Sequence, residues 1–287
     1  MSRQPLGQHF IADIYWREEI ARAIRVSPRS EMVAAAAAAE HRDYCWVEIG
    51  PGHGEMTEYL VATDAPVHVI EVDQFLIANL NRLKKKNANL DVICADILET
   101  DLAAVANGKR MRIYGSLPYY ITSPILHHLF QFAELIEQIH VVVQTEVAER
   151  MAAGPGSKAY GYLSVATQLN SRPEVVLEIP RAAFTPPPKV GSTLVTLRLP
   201  GGWEELRRGS LLPGENRSAK AQSEEDFLEF VKLGFSKKRK TLVNNLRELV
   251  EPEEVRNALA AIGLRADARA EQISISNFAA LFAALKK

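Results

Sequence analysis

The chain has 287 residues, 47% of them hydrophobic, and a formal net charge of −1. That is enough apolar material for a full core in one large domain or two unequal ones. It excludes a mainly disordered chain and a polycation, so any nucleic-acid contact must come from local clustering of charge.

In chain order, Met1–Phe10 is polar and lacks the apolar core of a signal peptide. The small-residue run Ala34–Ala39 is far too short to span a membrane. The two cysteines, Cys45 and Cys94, lie far apart without metal-ligand spacing, which reads as a reducing compartment and no metal site. A cytoplasmic protein without a membrane partner is the expectation. A helical pattern covers about Asp13 to Val26, and a second covers about Ser30 to His41. The polar, Gly-containing lead Pro5-Leu6-Gly7-Gln8-His9-Phe10-Ile11 serves either as a simple cap or as a cover folded over a ligand.

The stretch Trp46-Val47-Glu48-Ile49-Gly50-Pro51-Gly52-His53-Gly54-Glu55 predicts a buried strand, a glycine turn and a helix start. Glycines in alternate positions allow positive φ and close approach of a ligand. This is the first βα turn of a doubly wound sheet, where a cofactor sits at a helix N-terminus. A dinucleotide fingerprint from Gly50 needs glycine at position 55, where Glu55 stands. The spacing E-x-G-x-G-x-G favours a nucleoside without a pyrophosphate, S-adenosylmethionine. A second acid about 20 residues on is expected to hold the ribose hydroxyls, and Glu71 ends the next strand, Val67-His68-Val69-Ile70.

A helix follows from about Gln74 to Lys86, ending in a Lys84-Lys85-Lys86 cluster that suits the helix dipole. The strand Leu90–Ala95 leads to Asp96, an acceptor for an adenine amino group or a helix cap. The strand from Met111 runs into Ser116-Leu117-Pro118-Tyr119-Tyr120, where Pro118 stiffens the turn and removes a donor. A helix is expected from about Ser123 to Phe132. Its adjacent His127 and His128 face different ways, which argues against a metal site. Ile139–Val143 is a buried strand, and a helix follows over Gln144–Met151. Leu163–Leu169 and Val175–Ile179 read as strands or a helix–strand pair. Phe184–Val190 is a stiff polyproline-like segment, and Thr193–Leu199 alternates and is expected to end the sheet.

These elements complete an α/β domain over 1–200. A linker rich in Gly, Arg, Glu and Ser covers 201–223, and an all-helical domain covers 224–287. The helical patterns there are Phe227–Phe235, Lys240–Val250, Pro252–Ile262 and Ser276–Leu285. Lys232 to Arg247 carries six basic residues and no acid, with Asn244 and Asn245 among them, which predicts phosphate contact.

Taken together, the chain resembles the ribosomal small-subunit RNA adenine N6,N6-dimethyltransferases of bacteria, the KsgA/RsmA type. The likeness covers nearly the whole chain. It includes Leu6-Gly7-Gln8-His9-Phe10, Glu48-Ile49-Gly50-Pro51-Gly52-x-Gly54, Glu71-Val72-Asp73, Asp96-Ile97, Leu117-Pro118-Tyr119 and Gln144-x-Glu146-Val147-Ala148-x-Arg150. It continues through Phe184-x-Pro186-x-Pro188-Lys189-Val190-x-Ser192 and Phe235-Ser236-x-x-Arg239-Lys240-Thr241-Leu242-x-Asn244-Asn245-Leu246. The glycine turn alone fits any methyltransferase, whereas the opening, the Leu-Pro-Tyr corner and the closing basic motif are specific to this family.

The resemblance implies a Rossmann-like methyltransferase domain followed by a small helical domain. It implies a monomer that binds S-adenosylmethionine, releases S-adenosylhomocysteine and methylates two adjacent adenosines near the 3′ end of 16S-type RNA in the small ribosomal subunit. By motif, His9, Ile11, Gly50 and Gly52 would hold the cofactor, with Glu71 on its ribose and Asp96 on its adenine. Ser116 and the Leu117 carbonyl would face the transfer point, and Tyr119 and Phe184 would stack on the extruded base. Lys189, Lys237, Lys238, Arg239, Lys240, Asn244 and Arg247 would meet RNA. The family usually has Asn or Asp where Ser116 stands. That departure opens the alternative of a weakly active or inactive assembly factor. A large-subunit adenine methyltransferase is the other alternative.

Overall fold

The computed structural model describes residues 9–26, 44–118, 121–203, 206 and 217–285. The expected helix at 30–41, the residues 5–8 of the opening, and Tyr119 and Tyr120 lie outside them. Contacts divide the chain into two units, Met1–Ala148 with Pro173–Leu199, and Glu149–Arg172 with Pro200–Lys287. The 149–172 stretch, placed with the sheet on pattern alone, therefore groups with the helical unit. Of the expected linker, Trp203 and Leu206 are buried in the second unit's core. Residues 204–205 and 207–216 lie outside the described residues.

The first unit is built on a seven-stranded sheet in the order β4-β3-β2-β5-β6-β9-β7. The strands are β2 (Tyr44–Ile49), β3 (Val67–Glu71), β4 (Leu90–Cys94), β5 (Arg110–Ser116), β6 (Ile136–Gln144), β7 (Arg172–Ile179) and β9 (Ser192–Arg198). β2 through β6 pair in parallel, and β9 runs antiparallel to β6. The chain leaves β2 toward β3 and β4, then returns to the other side of β2 as β5. That reversal opens a crevice at the carboxyl ends of β2 and β5. β2 is buried from Cys45 to Ile49, as a strand covered on both faces must be.

Three helices are capped where the sequence places a short acid. Asp13 accepts the Tyr15 N–H at 2.9 Å to open α1 (Ile14–Ala23), and Asp73 accepts the Phe75 N–H at 2.9 Å to open α3 (Gln74–Lys84). Asp101 opens α4 (Leu102–Ala106) in the same way, and α2 (Thr57–Val61) follows the glycine turn. Helix α5 (Thr122–Phe130) follows the Leu117-Pro118 corner.

β9 is the last strand among the described residues, as expected of Thr193–Leu199; in the sheet it lies between β6 and β7 and is buried from Ser192 to Leu197, so alternation did not mark a half-exposed strand. One expectation is corrected. The Phe184–Val190 segment is not uniformly polyproline-like. Phe184–Thr185 forms β8, which pairs antiparallel with β1 (Phe10–Ile11) in a two-stranded ribbon.

The second unit is helical, with α6 (Thr145–Ala152) leading into it, then α7 (Tyr162–Asn170), α8 (Arg217–Gly234), α9 (Leu242–Leu246), α10 (Pro252–Ala261) and α11 (Ile275–Leu285). The helix expected over Lys240–Val250 is thus a five-residue helix preceded by a turn. Edge-on aromatic contacts join Phe227 to Trp203 and to Phe282, with Phe230 and Phe278 buried in the same cluster. No helix among the described residues is long and apolar enough to cross a membrane.

Candidate nucleoside-binding site

The glycine turn has the backbone the spacing called for: φ is +64° at Gly50, +62° at Gly52 and +99° at Gly54. A Cβ on Gly50 would meet nothing within 4 Å, whereas one on Gly52 would lie 2.7 Å from the Phe10 ring. Phe10 therefore lies over the turn, and it also meets the His53 ring edge-on at 4.6 Å between centroids. The described part of the opening, His9 to Ile11, is a cover rather than only a cap. Pairing of Ile11 with Phe184 ties it down, as does a 2.7 Å contact between His9 Nδ1 and the Pro186 carbonyl.

The cover closes a cavity of about 270 Å³ at the carboxyl ends of β2 and β5. His9, Ile11, Gly50, Gly52, Glu71, Asp96, Ser116, Leu117 and Phe184 all line it. The lining also includes Phe10, Glu55 and Tyr114, to which the sequence reading gave no role in the site, and Glu48, which it used only as the acid preceding the glycines. The signal for two of them was available: Glu48 and Tyr114 lie two residues before Gly50 and Ser116, and alternate residues of a strand share a face.

Four carboxyl groups, those of Glu48, Glu55, Glu71 and Asp96, face this cavity, and among the described residues neither a lysine nor an arginine lines it. Burial pushes the Glu71 carboxyl up, while backbone N–H groups of Asp73 and Gly52 hold it down. The Asp73 N–H donates to its Oε1 at 2.8 Å. Asp96 accepts the Leu98 N–H at 2.9 Å through Oδ1, so it caps a short 3-10 turn while facing the cavity. Glu48 is 2% exposed and accepts the Thr57 hydroxyl at 2.6 Å. Burial, with Glu55 and Glu71 nearby, raises its carboxyl to about 8. A polyanion such as a pyrophosphate is repelled here, and a nucleoside carrying positive charge is favoured.

At the Leu117-Pro118 corner, the Leu117 N–H donates to the Val142 carbonyl at 3.0 Å. The Pro118 carbonyl is taken up by the Ile121 N–H and the Thr122 hydroxyl, each at 3.1 Å. Among the described residues none donates to the Leu117 carbonyl, so of the two it is the one left to accept from a ligand. Phe184 is 3% exposed and Ser116 partly exposed, both on the cavity wall.

The basic run belongs to the second unit. Lys237, Lys238, Arg239 and Lys240 are exposed on the turn before α9, with Asn244 and Arg247 exposed beyond it. Lys238 Nζ donates to the Lys158 carbonyl at 3.3 Å. Among the described residues no carboxylate pairs with any of the five cations. Asn245 departs from the expectation of phosphate contact. It is 8% exposed, and its amide donates to the Gly234 and Lys237 carbonyls, pinning the turn from inside. Lys189, in the first unit, is exposed and does not line the cavity. Among the described residues no cluster of His, Cys, Asp and Glu has the makings of a metal site.

A Rossmann-like sheet with a glycine turn, acids at two successive strand ends and a Leu-Pro corner on the next strand defines an α/β nucleoside-binding protein of the methyltransferase class. All of residues 1–287 match the family described as ribosomal RNA adenine dimethylase, and the chain belongs to that family. It is 37% identical over 277 residues to the "Ribosomal RNA small subunit methyltransferase A" of Xanthomonas campestris pv. campestris strain B100, covering 96% of this chain and 94% of that one. The protein of the same name from Xanthomonas euvesicatoria pv. vesicatoria is 38% identical over the same shares. Among solved structures, the 23S rRNA methyltransferase ErmE matches with a TM-score of 0.64 at 25% identity, over 97% of this chain and all of its own. A dimethyladenosine transferase from Plasmodium falciparum shares the fold, with a TM-score of 0.67 at 21% identity over 96% of each chain.

Proposed function

We propose that this protein transfers methyl groups from S-adenosylmethionine to the N6 amino groups of two adjacent adenosines near the 3′ end of the small-subunit ribosomal RNA, as a step in assembling that subunit. The observation that carries the cofactor reading is the cavity's charge: four carboxyls and, among the described residues, no lysine or arginine around a glycine turn. S-adenosylmethionine fits that lining, since it brings an ammonium and a sulfonium and no phosphate. When bound, it supplies an activated methyl group. Gly50 leaves open the space a side chain would occupy. Glu71 accepts from the ribose hydroxyls and Asp96 from the adenine, while His9, Phe10 and Ile11 exclude water from above.

The chain's remaining task is alignment. An adenine amino group is a weak nucleophile, and its hydrogens need acceptors as positive charge develops on nitrogen. The Leu117 carbonyl and the Ser116 hydroxyl supply them, and no strong base is required. Phe184 takes one face of the extruded base and Tyr119 the other, which offsets the loss of stacking by roughly 1–3 kcal/mol per base. Lys189 and the exposed turn at Lys237–Lys240, with Asn244 and Arg247, take phosphates. The protein acts as a cytoplasmic monomer.

The test is transfer of labelled methyl from S-adenosylmethionine to undermethylated small subunits, with the modified nucleosides identified by mass spectrometry. Dimethyladenosine in the small-subunit RNA is expected. Label confined to large-subunit RNA, or none at all, would sink this reading.

A further inference from the structure

One polar row crosses the sheet beneath the cavity. Glu48, Tyr114, His140 and Thr196 are successive cross-strand partners on β2, β5, β6 and β9, so their side chains share a face. Three of the four are accounted for. Glu48 takes the Thr57 hydroxyl, and His140 Nδ1 meets Thr196 Oγ1 at 2.9 Å. His140 is held neutral, with burial bringing its imidazole down to about 3. Tyr114 is the exception. It is 2% exposed and lines the cavity, and its hydroxyl is buried with no hydrogen-bond partner among the described residues. A buried orphan hydroxyl costs about 1–3 kcal/mol, so it calls for a state in which the bond is made.

The neighbour able to make it is Glu48. Burial, and then the nearby Glu48 and Glu55, push the Tyr114 hydroxyl well above the ordinary tyrosine range, so it keeps its proton and is a donor. Without a ligand Glu48 is mostly neutral at pH 7 and demands little from a donor. The groups facing it are the Glu55 and Glu71 carboxyls, which oppose its ionisation, and the hydroxyls of Thr57 and Tyr114. A cation in the cavity reverses that balance. Glu48 then loses its proton, and a second donor to the carboxylate becomes worth having.

We propose that Tyr114 is a positioning residue for the cationic cofactor: its idle hydroxyl is the reserve donor that holds the Glu48 carboxylate once an ammonium group sits in the cavity. The inference rests on the S-adenosylmethionine reading. It adds a residue that acts through Glu48 and couples cofactor binding to release of a proton.

The experiment is calorimetric titration of S-adenosylhomocysteine, which carries the ammonium, into the full-length wild type, Tyr114→Phe, Glu48→Gln and the double variant, each first shown folded by its melting curve. At about pH 7, Tyr114→Phe is expected to weaken binding about 5- to 10-fold, and by less than about 2-fold when Glu48 is already glutamine. Repeating the titration in two buffers of different ionisation enthalpy counts the protons: the wild type releases one on binding and Tyr114→Phe releases fewer. That count decides the matter if Glu48→Gln binds too weakly to titrate. Unchanged affinity and proton count in Tyr114→Phe would overturn the proposal, as would an equal loss in both Glu48 backgrounds, which marks a purely structural role. A wild type that fails to bind overturns the cofactor reading itself, and this one with it.

Discussion

In the first unit, four carboxyls gather around one cavity, and two of them, Glu48 and Glu71, are drawn out of water; in the second, the cations of 237–240 stay in water on a turn anchored from within by Asn245. The two arrangements suit different ligands. A site that must fix one small cation gains from taking acids into low dielectric, where each interaction is strong and specific. It also costs folding stability, because a buried carboxyl resists ionisation. A surface that meets a polyanion gains from many weak, exposed contacts whose strength comes from counterion release, and it costs the fold little.

Substitutions on each side should break that contrast in characteristic ways. The largest effect is expected at Glu48. Its carboxyl is raised in the folded state, so the stability that comes from keeping it neutral is present in acid and is lost as pH climbs through about 8. Glu48→Gln is therefore expected to gain on the wild type by on the order of 4 kcal/mol between about pH 5 and about pH 9, read from denaturant curves without ligand. A gap between the two proteins that does not widen with pH would show that the carboxyl is not held neutral. Next comes Glu71→Ala, which should weaken S-adenosylhomocysteine about 100-fold by calorimetry, since charge-assisted bonds to two ribose hydroxyls go together.

On the basic side, alanine at Lys237, Lys238, Arg239 and Lys240 together should weaken small-subunit RNA binding by more than about tenfold at low salt. The slope of log affinity against log salt should fall by about 3. The melting temperature should stay where it was, and a shifted melt with an unchanged salt slope would point to a structural turn instead. Asn245→Ala sharpens the same point in reverse: it should cost about 2 kcal/mol of stability, while Asn244→Ala stays within about 0.5 kcal/mol. The smallest effect is expected at the transfer point. Ser116→Asn, which restores the residue usual in the family, should speed single-turnover methyl transfer by roughly severalfold, because an amide oxygen reaches further than a hydroxyl. A variant no faster than wild type would remove Ser116 from the chemical step.

The sequence by itself determined the local chemistry. Three alternating glycines demanded positive φ, acids stood where strands had to end, short carboxylates capped helices, and a run without acids had to be a local positive patch. Each of these depends on neighbours a few residues apart, where steric limits and period-two or 3.6-residue spacing settle the outcome.

Only the tertiary structure decided what met across long separations. It laid His9, Phe10 and Ile11 beside Phe184 in one ribbon, with the His9 to Pro186 contact spanning 177 residues. It set β9 inside the sheet and turned Asn245 inward while Asn244 faced out. It brought Tyr114 alongside Glu48, which no spacing in the chain connects. The physical reason is the same in each case. Register and partner choice come from burying apolar faces against distant segments, and that energy is shared by the whole core rather than written at any one position.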